Sequence, residues 1–118
     1  MYDPVLEQRV AARLEAAGAA FERKRMFGGI CFLVDDKMCV GVLDETLMVR
    51  FDPALNEQIL AREDVREMDF TKRAMRGFAF VDGEYIDDDR RLSYWIELAL
   101  DYNPRAKRSA KKEKKRNG

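Results

Sequence analysis

Arg25-Met26-Phe27-Gly28-Gly29 runs straight into Ile30-Cys31-Phe32-Leu33-Val34, a polar link Asp35-Asp36-Lys37, and a return segment Met38-Cys39-Val40-Gly41-Val42-Leu43. Two apolar runs rich in β-branched and aromatic side chains, divided by a polar tripeptide, predict a β-hairpin. The adjacent glycines at its entry predict a bulge or bend that re-aims the strand, because glycine adopts backbone angles closed to other residues. A phosphate-cradling loop is the competing reading of Gly28-Gly29. Such a loop needs a following Lys-Ser/Thr and a helix N-terminus, whereas here an apolar strand follows. Thr46-Leu47-Met48-Val49-Arg50-Phe51, beyond Asp44-Glu45, predicts a third strand.

Upstream, Asp3-Pro4 is a side-chain cap followed by proline at the first helical position. Leu6, Val10, Leu14 and Ala17 recur at helical spacing and Gly18 stands where a helix C-terminus favours glycine, so an amphipathic helix is predicted. Phe21 to Met26 predicts a polar first strand at or near a sheet edge. Downstream, Asp52-Pro53 repeats the cap-plus-proline signal and opens a short helix through Leu55, Ile59 and Leu60. Val65–Phe70 predicts a weaker strand, Thr71–Gly77 a basic loop, and Phe78-Ala79-Phe80-Val81 a strand closed by Asp82-Gly83. Asp87-Asp88-Asp89 puts negative charge at the start of a last helix that turns Leu92, Trp95, Ile96, Ala99 and Tyr102 inward and stops before Pro104. Gly41, inside a strand, is expected to let a helix side chain approach, with Trp95 as the candidate. The expectation is a two-layer α+β domain: an antiparallel sheet of five to six strands with helices on one face, in the order α-β(4)-α-β(2)-α.

The chain has 118 residues, enough for one domain that buries about two-thirds of its unfolded surface. It has no apolar run of membrane-spanning length and no secretion signal, so a cytoplasmic protein without a membrane partner is expected. Its formal neutrality hides an asymmetry. Eight cations from Arg105 onward (Arg105, Lys107, Arg108, Lys111, Lys112, Lys114, Lys115 and Arg116) stand against Glu113 alone, a net of +7, so residues 1–104 carry −7. Residues 1–103 are therefore expected to form the domain and 104–118 a disordered basic tail, because Lys, Arg, Ala and Ser cannot build a core. An acidic body argues against the folded surface as a general nucleic-acid platform.

There is no histidine, and the two serines, Ser93 and Ser109, have no imidazole to activate them. Two cysteines cannot make a four-thiolate zinc site. A two-residue turn at Asp36-Lys37 would put Cys31 and Cys39 on opposite faces, and a three-residue turn would put them on one face but diagonally offset. Both registers predict free, buried thiols, as expected in a reducing cytosol. No cofactor, no metal and no catalytic constellation is expected. Arg23-Lys24-Arg25 and Lys72, Arg73 and Arg76 would merge into one anion-binding patch if the loop after the fifth strand folded back beside the first; otherwise they are solvated edge charges.

On the Arg25-to-Gly29 stretch, the hairpin behind it and the order of elements around it, the chain resembles the N-terminal domain of the TfoX/Sxy family over roughly Val5 to Tyr102. The resemblance implies the same architecture and a regulatory role: such proteins act in competence gene expression, typically with the cyclic-AMP receptor protein, and are not known as enzymes. Fuller members add a second, helical domain, whereas Tyr102-Asn103-Pro104 leads here into the basic tail. The competence role is therefore not carried over, and no catalytic residue is supplied. What remains is a small cytosolic regulatory or adaptor protein. Its expected interaction surface is Arg25, Met26, Phe27, Gly28 and Gly29, facing a protein partner in the transcription machinery or a second copy in a homodimer. The alternatives are sequence-nonspecific nucleic-acid binding through the tail, which has no aromatic residue to stack on bases, and a small-ligand domain or enzyme.

Overall fold

A computed structural model describes residues 2–26, 28–68 and 75–107. Three helices, α1 (Pro4–Ala16), α2 (Asn56–Leu60) and α3 (Asp89–Tyr102), accompany six strands, β1 (Glu22–Met26), β2 (Gly29–Val34), β3 (Lys37–Leu43), β4 (Thr46–Arg50), β5 (Arg66–Glu67) and β6 (Phe78–Asp82). The strands form one antiparallel sheet in the order β1-β2-β3-β4-β6-β5. The architecture is the α+β order expected from the sequence.

Local chemistry sets the helix limits. Asp3 Oδ1 accepts from the Val5 N–H at 2.9 Å and Asp88 Oδ1 from Arg91 at 2.8 Å, while Asp52 Oδ1 accepts from Ala54 at 3.0 Å and caps the 3-10 turn Pro53–Leu55 that leads into α2. Each satisfies a donor that the first turn leaves open. At the end of α1, Gly18 takes φ +78°, the Gly18 N–H donates to Glu15 O at 2.9 Å and the Ala19 N–H to Leu14 O at 3.0 Å. That paired pattern is a left-handed helix stop which glycine adopts without a Cβ clash.

The main core lies between the helices and one sheet face. Leu6, Val10 and Leu14 of α1 and Leu92, Trp95, Ile96 and Ala99 of α3 pack with Phe32, Val40, Val42, Leu47, Val49 and Val81. Trp95 is 1 % exposed, as its helical stripe predicts. Arg62 lies over its ring at 5.0 Å. The opposite sheet face carries a second apolar cluster in which Cys31, Met48 and Met68 are buried and Met26, Leu33, Met38, Leu43, Met75, Phe78 and Phe80 partly buried. Five of the chain's six methionines lie there.

The β2–β3 turn corrects the expected register. Asp35 and Asp36, at φ 56° and 66°, form the two-residue turn, and Val34 pairs with Lys37. The register then shifts between Leu33 and Phe32, so that Phe32 faces Val40 and Cys31 faces Gly41. Cys39 is the extra residue of the bulge, and both Cys39 and Val40 join the helix-side core. Cys31 faces the methionine cluster, so the free thiols sit on opposite faces. The same shift turns Gly41 away from the helices: a Cβ there would meet Met48 Cε at 2.8 Å and Cys31 Sγ at 3.2 Å, and Trp95 is not its partner.

Pro104 to Lys107, expected in the tail, pack on the domain. Lys37 Nζ donates to the carbonyls of Asn103 and Pro104 at 3.2 and 3.3 Å, and Asn103 Nδ2 donates to Val34 O at 3.2 Å. Ala106 is buried, Arg50 donates to Lys107 O at 3.3 Å, and Arg105 pairs with Asp52 at 2.6 Å. The strand expected over Val65–Phe70 is limited to Arg66–Glu67, and Asp69 and Phe70 lie outside the described residues.

Candidate docking surface at the first strand

Among the described residues β1 has a single strand neighbour, β2, in the register Glu22 with Leu33, Arg23 with Phe32, Lys24 with Cys31, Arg25 with Ile30 and Met26 with Gly29. Among the described residues its outer side is an open sheet edge. Glu22 through Arg25 are exposed and Met26 is half-buried.

The glycines that follow have separate backbone jobs. Gly28 stands at φ +78°, and a Cβ there would meet open space, so only the left-handed conformation demands glycine. Gly29 is buried where β2 closes on β3. A Cβ there would collide with the Val42 carbonyl oxygen and lie 3.0 Å from Leu43 Cγ. Of the bulge or bend expected at this point the pair therefore builds the bend, as a turn at Gly28, and a close strand contact at Gly29. Phe27, the middle residue of the expected surface, lies outside the described residues.

The N-terminus completes the site. Tyr2 bridges to Asp44, and the Asp3 N–H donates to Asp44 O at 2.8 Å, which fixes the start of α1 beside the sheet. A cleft of about 660 Å³ opens between this segment and the turn, lined by Tyr2, Pro4, Arg25, Met26, Gly28 and Gly29. Val5, the next residue of α1, is 65 % exposed. On the other side of Tyr2 lies a groove of about 710 Å³ bearing Asp3, Asp44, Glu45, Asp82 and Glu84.

The basic run of β1 is divided by its neighbours. Arg23 belongs to the fold: it pairs with Glu7 of α1 at 2.7 Å and lies over the rings of Phe21 and Phe32 at 5.6 and 5.5 Å. Lys24 and Arg25 make no ion pair with any described residue. Arg76 reaches neither of them. It binds Glu57 at 2.6 Å, and the strand that leads toward its loop, β5, is the opposite edge of the sheet. A merged patch with β1 is therefore not formed by Arg76, and Lys72 and Arg73 lie outside the described residues.

Of the expected tail, Arg105 is held by Asp52 and Asp101, Lys107 is exposed, and Arg108, Lys111, Lys112, Lys114, Lys115 and Arg116 lie outside the described residues. Sequence reasoning missed Tyr2 and Pro4 as walls of the cleft; the only signal was the helix start at Asp3-Pro4, which does not say where that start docks. Both thiols are free and buried. Burial pushes Cys31 up to about 11 and Cys39 up to about 12, the latter slightly offset by Arg50. Among the described residues no three His, Cys, Asp or Glu side chains gather as a metal site, and no helix is long and apolar enough to cross a membrane.

No curated protein and no solved structure matches the chain. The family profile of the TfoX N-terminal domain matches residues 13–102, which include β1, the two glycines and the whole six-strand sheet. The chain belongs to the TfoX N-terminal domain family.

Proposed function

We propose that this protein is a small, non-enzymatic, cytosolic adaptor that works through protein contacts at β1 and the cleft beside it, in transcriptional regulation. The observation that carries the reading is the pair Lys24 and Arg25. Both are exposed and make no ion pair with a described residue; Arg25 lines an apolar cleft together with Tyr2, Pro4 and Met26, and Lys24 precedes it on the same strand. Cations already engaged by the fold, such as Arg23 and Arg105, have little left to offer a partner. An apolar recess rimmed by uncompensated charge is the composition expected of an interaction surface, where the apolar part supplies affinity and the charge supplies selection.

The test is affinity capture from native cytosol with three forms of the protein. Wild type and a form ending at Lys107 should capture the same partner, because removing residues 108–118 leaves the domain and its packed terminus in place. Arg25→Glu with Met26→Asp should lose it while still unfolding in one cooperative urea transition, at a lower midpoint because Met26 is half-buried against the second apolar cluster. Capture that survives the double substitution and disappears on truncation would reassign the activity to the basic tail.

A further inference from the structure

We infer that the β1 edge is a receptor for one extended, acidic segment of a partner protein, which adds to the sheet as a seventh strand. The inference rests on the adaptor reading and specifies its partner. An edge strand turns the N–H and C=O groups of alternate residues outward, and a chain laid beside it satisfies them by main-chain bonds of either polarity. Among the described residues β1 is the long open edge; the other edge, β5, has only two residues.

Charge decides which strand fits. Self-pairing of two β1 strands about Lys24 would set Lys24 against Lys24 and Arg23 against Arg25, and like charges directly opposite are unfavourable. The chain's own tail is basic and is repelled in the same way. A foreign strand places each side chain on the same face as the β1 residue it opposes. Opposite Met26, beside the cleft of Tyr2 and Pro4, an apolar side chain is favoured. Opposite Arg25 and Lys24 two carboxylates are favoured, one on each face. Opposite Arg23, already neutralised by Glu7, a small uncharged residue fits, and opposite Glu22 a cation. The partner motif read off the edge is therefore apolar, acidic, acidic, small, basic, in either chain direction.

The test uses a fluorescein-labelled peptide Thr-Leu-Glu-Glu-Thr-Lys-Thr and its reversed sequence, titrated with the full chain. One of the two should bind with saturable anisotropy. Replacing both Glu by Lys, or the second Glu by Pro, should abolish binding, the first through charge and the second through the missing main-chain donor. Lys24→Glu with Arg25→Glu, both at exposed positions, should weaken binding by about tenfold or more, the scale of two surface ion pairs converted to repulsion. Hydrogen exchange should slow at alternate amides within Glu22–Met26 in the complex. Equal binding of the Lys-substituted peptide, protection elsewhere, or no binding of either sequence at millimolar peptide overturns the inference. If cytosolic capture is lost in the Arg25→Glu, Met26→Asp form while the peptides fail, the edge inference falls and the adaptor reading stands. If capture is unaffected by that substitution, the adaptor reading itself falls.

Discussion

Gly28 and Gly29 differ in why they must be glycine, and that difference can be measured. At Gly29 the Cβ of an alanine would overlap the Val42 carbonyl oxygen and stand 3.1 Å from the Val42 carbonyl carbon and 3.0 Å from Leu43 Cγ. The obstacle is backbone in the middle of the sheet, so β2 and β3 must separate to admit it. Overpacking a tight site costs about 1–3 kcal/mol, and an immovable neighbour puts Gly29→Ala at the upper end, about 3 kcal/mol. At Gly28 there is space, and the cost is only the left-handed backbone at φ +78°. For alanine that is about 1 kcal/mol, and Gly28→Asn should recover most of it because asparagine enters this region readily. Trp95, the single tryptophan and 1 % exposed, reports unfolding in urea by the red shift of its emission. Gly29→Ala should lower the melting temperature by roughly 10–20 °C and Gly28→Ala by about 5 °C. Gly29→Ala within about 0.5 kcal/mol of wild type, the range of an ordinary surface change, would refute the packing argument.

Three further outcomes follow from the same structure. Cys31 and Cys39 should both resist a thiol reagent under native conditions and react together only on unfolding, and intact mass should show no loss of two hydrogens; rapid native labelling of either contradicts their burial. Lys37→Met removes a buried ammonium from the carbonyls of Asn103 and Pro104 and should cost about 2 kcal/mol, with faster hydrogen exchange at Ala106. Asp52 is held below the usual carboxylate range by the Ala54 N–H and Arg105, and Glu57, Asp64 and Asp82 by Arg76, Arg62 and Arg66. Depressed carboxylates stabilise the fold above their unfolded pKa, about 4, and lose that contribution as pH falls, so urea midpoints should hold level from about pH 8 to 5 and decline below.

The helices were legible in the sequence because their signals are local: Asp3-Pro4, Asp52-Pro53 and Asp88 cap the turns they precede. The hairpin was legible from its apolar runs, but its faces were not. A one-residue bulge at Cys39 decides which way Gly41 points, and nothing in the run Met38–Leu43 marks where an extra residue enters. Contacts across long separations were hidden for the same reason. Lys37 reads as the last residue of a polar turn until α3 delivers the carbonyl of Asn103, 66 positions away. The candidate surface was legible only as a motif. Dividing its charges into Arg23, spent on Glu7, and Lys24 and Arg25, free of ion pairs with described residues, required the docking of α1 on the sheet. The methionine-rich second face was also unseen, since its members are scattered over six separate segments between Met26 and Phe80.

The most direct measurement is site-specific photo-crosslinking in native cytosol. A photoreactive residue at Arg25 should give one discrete adduct, retained when the chain ends at Lys107, while the same residue at the exposed Gln58 of α2 should give none. Equal adducts from Arg25 and Gln58, or an Arg25 adduct that vanishes on removal of residues 108–118, would contradict a docking surface on the first strand.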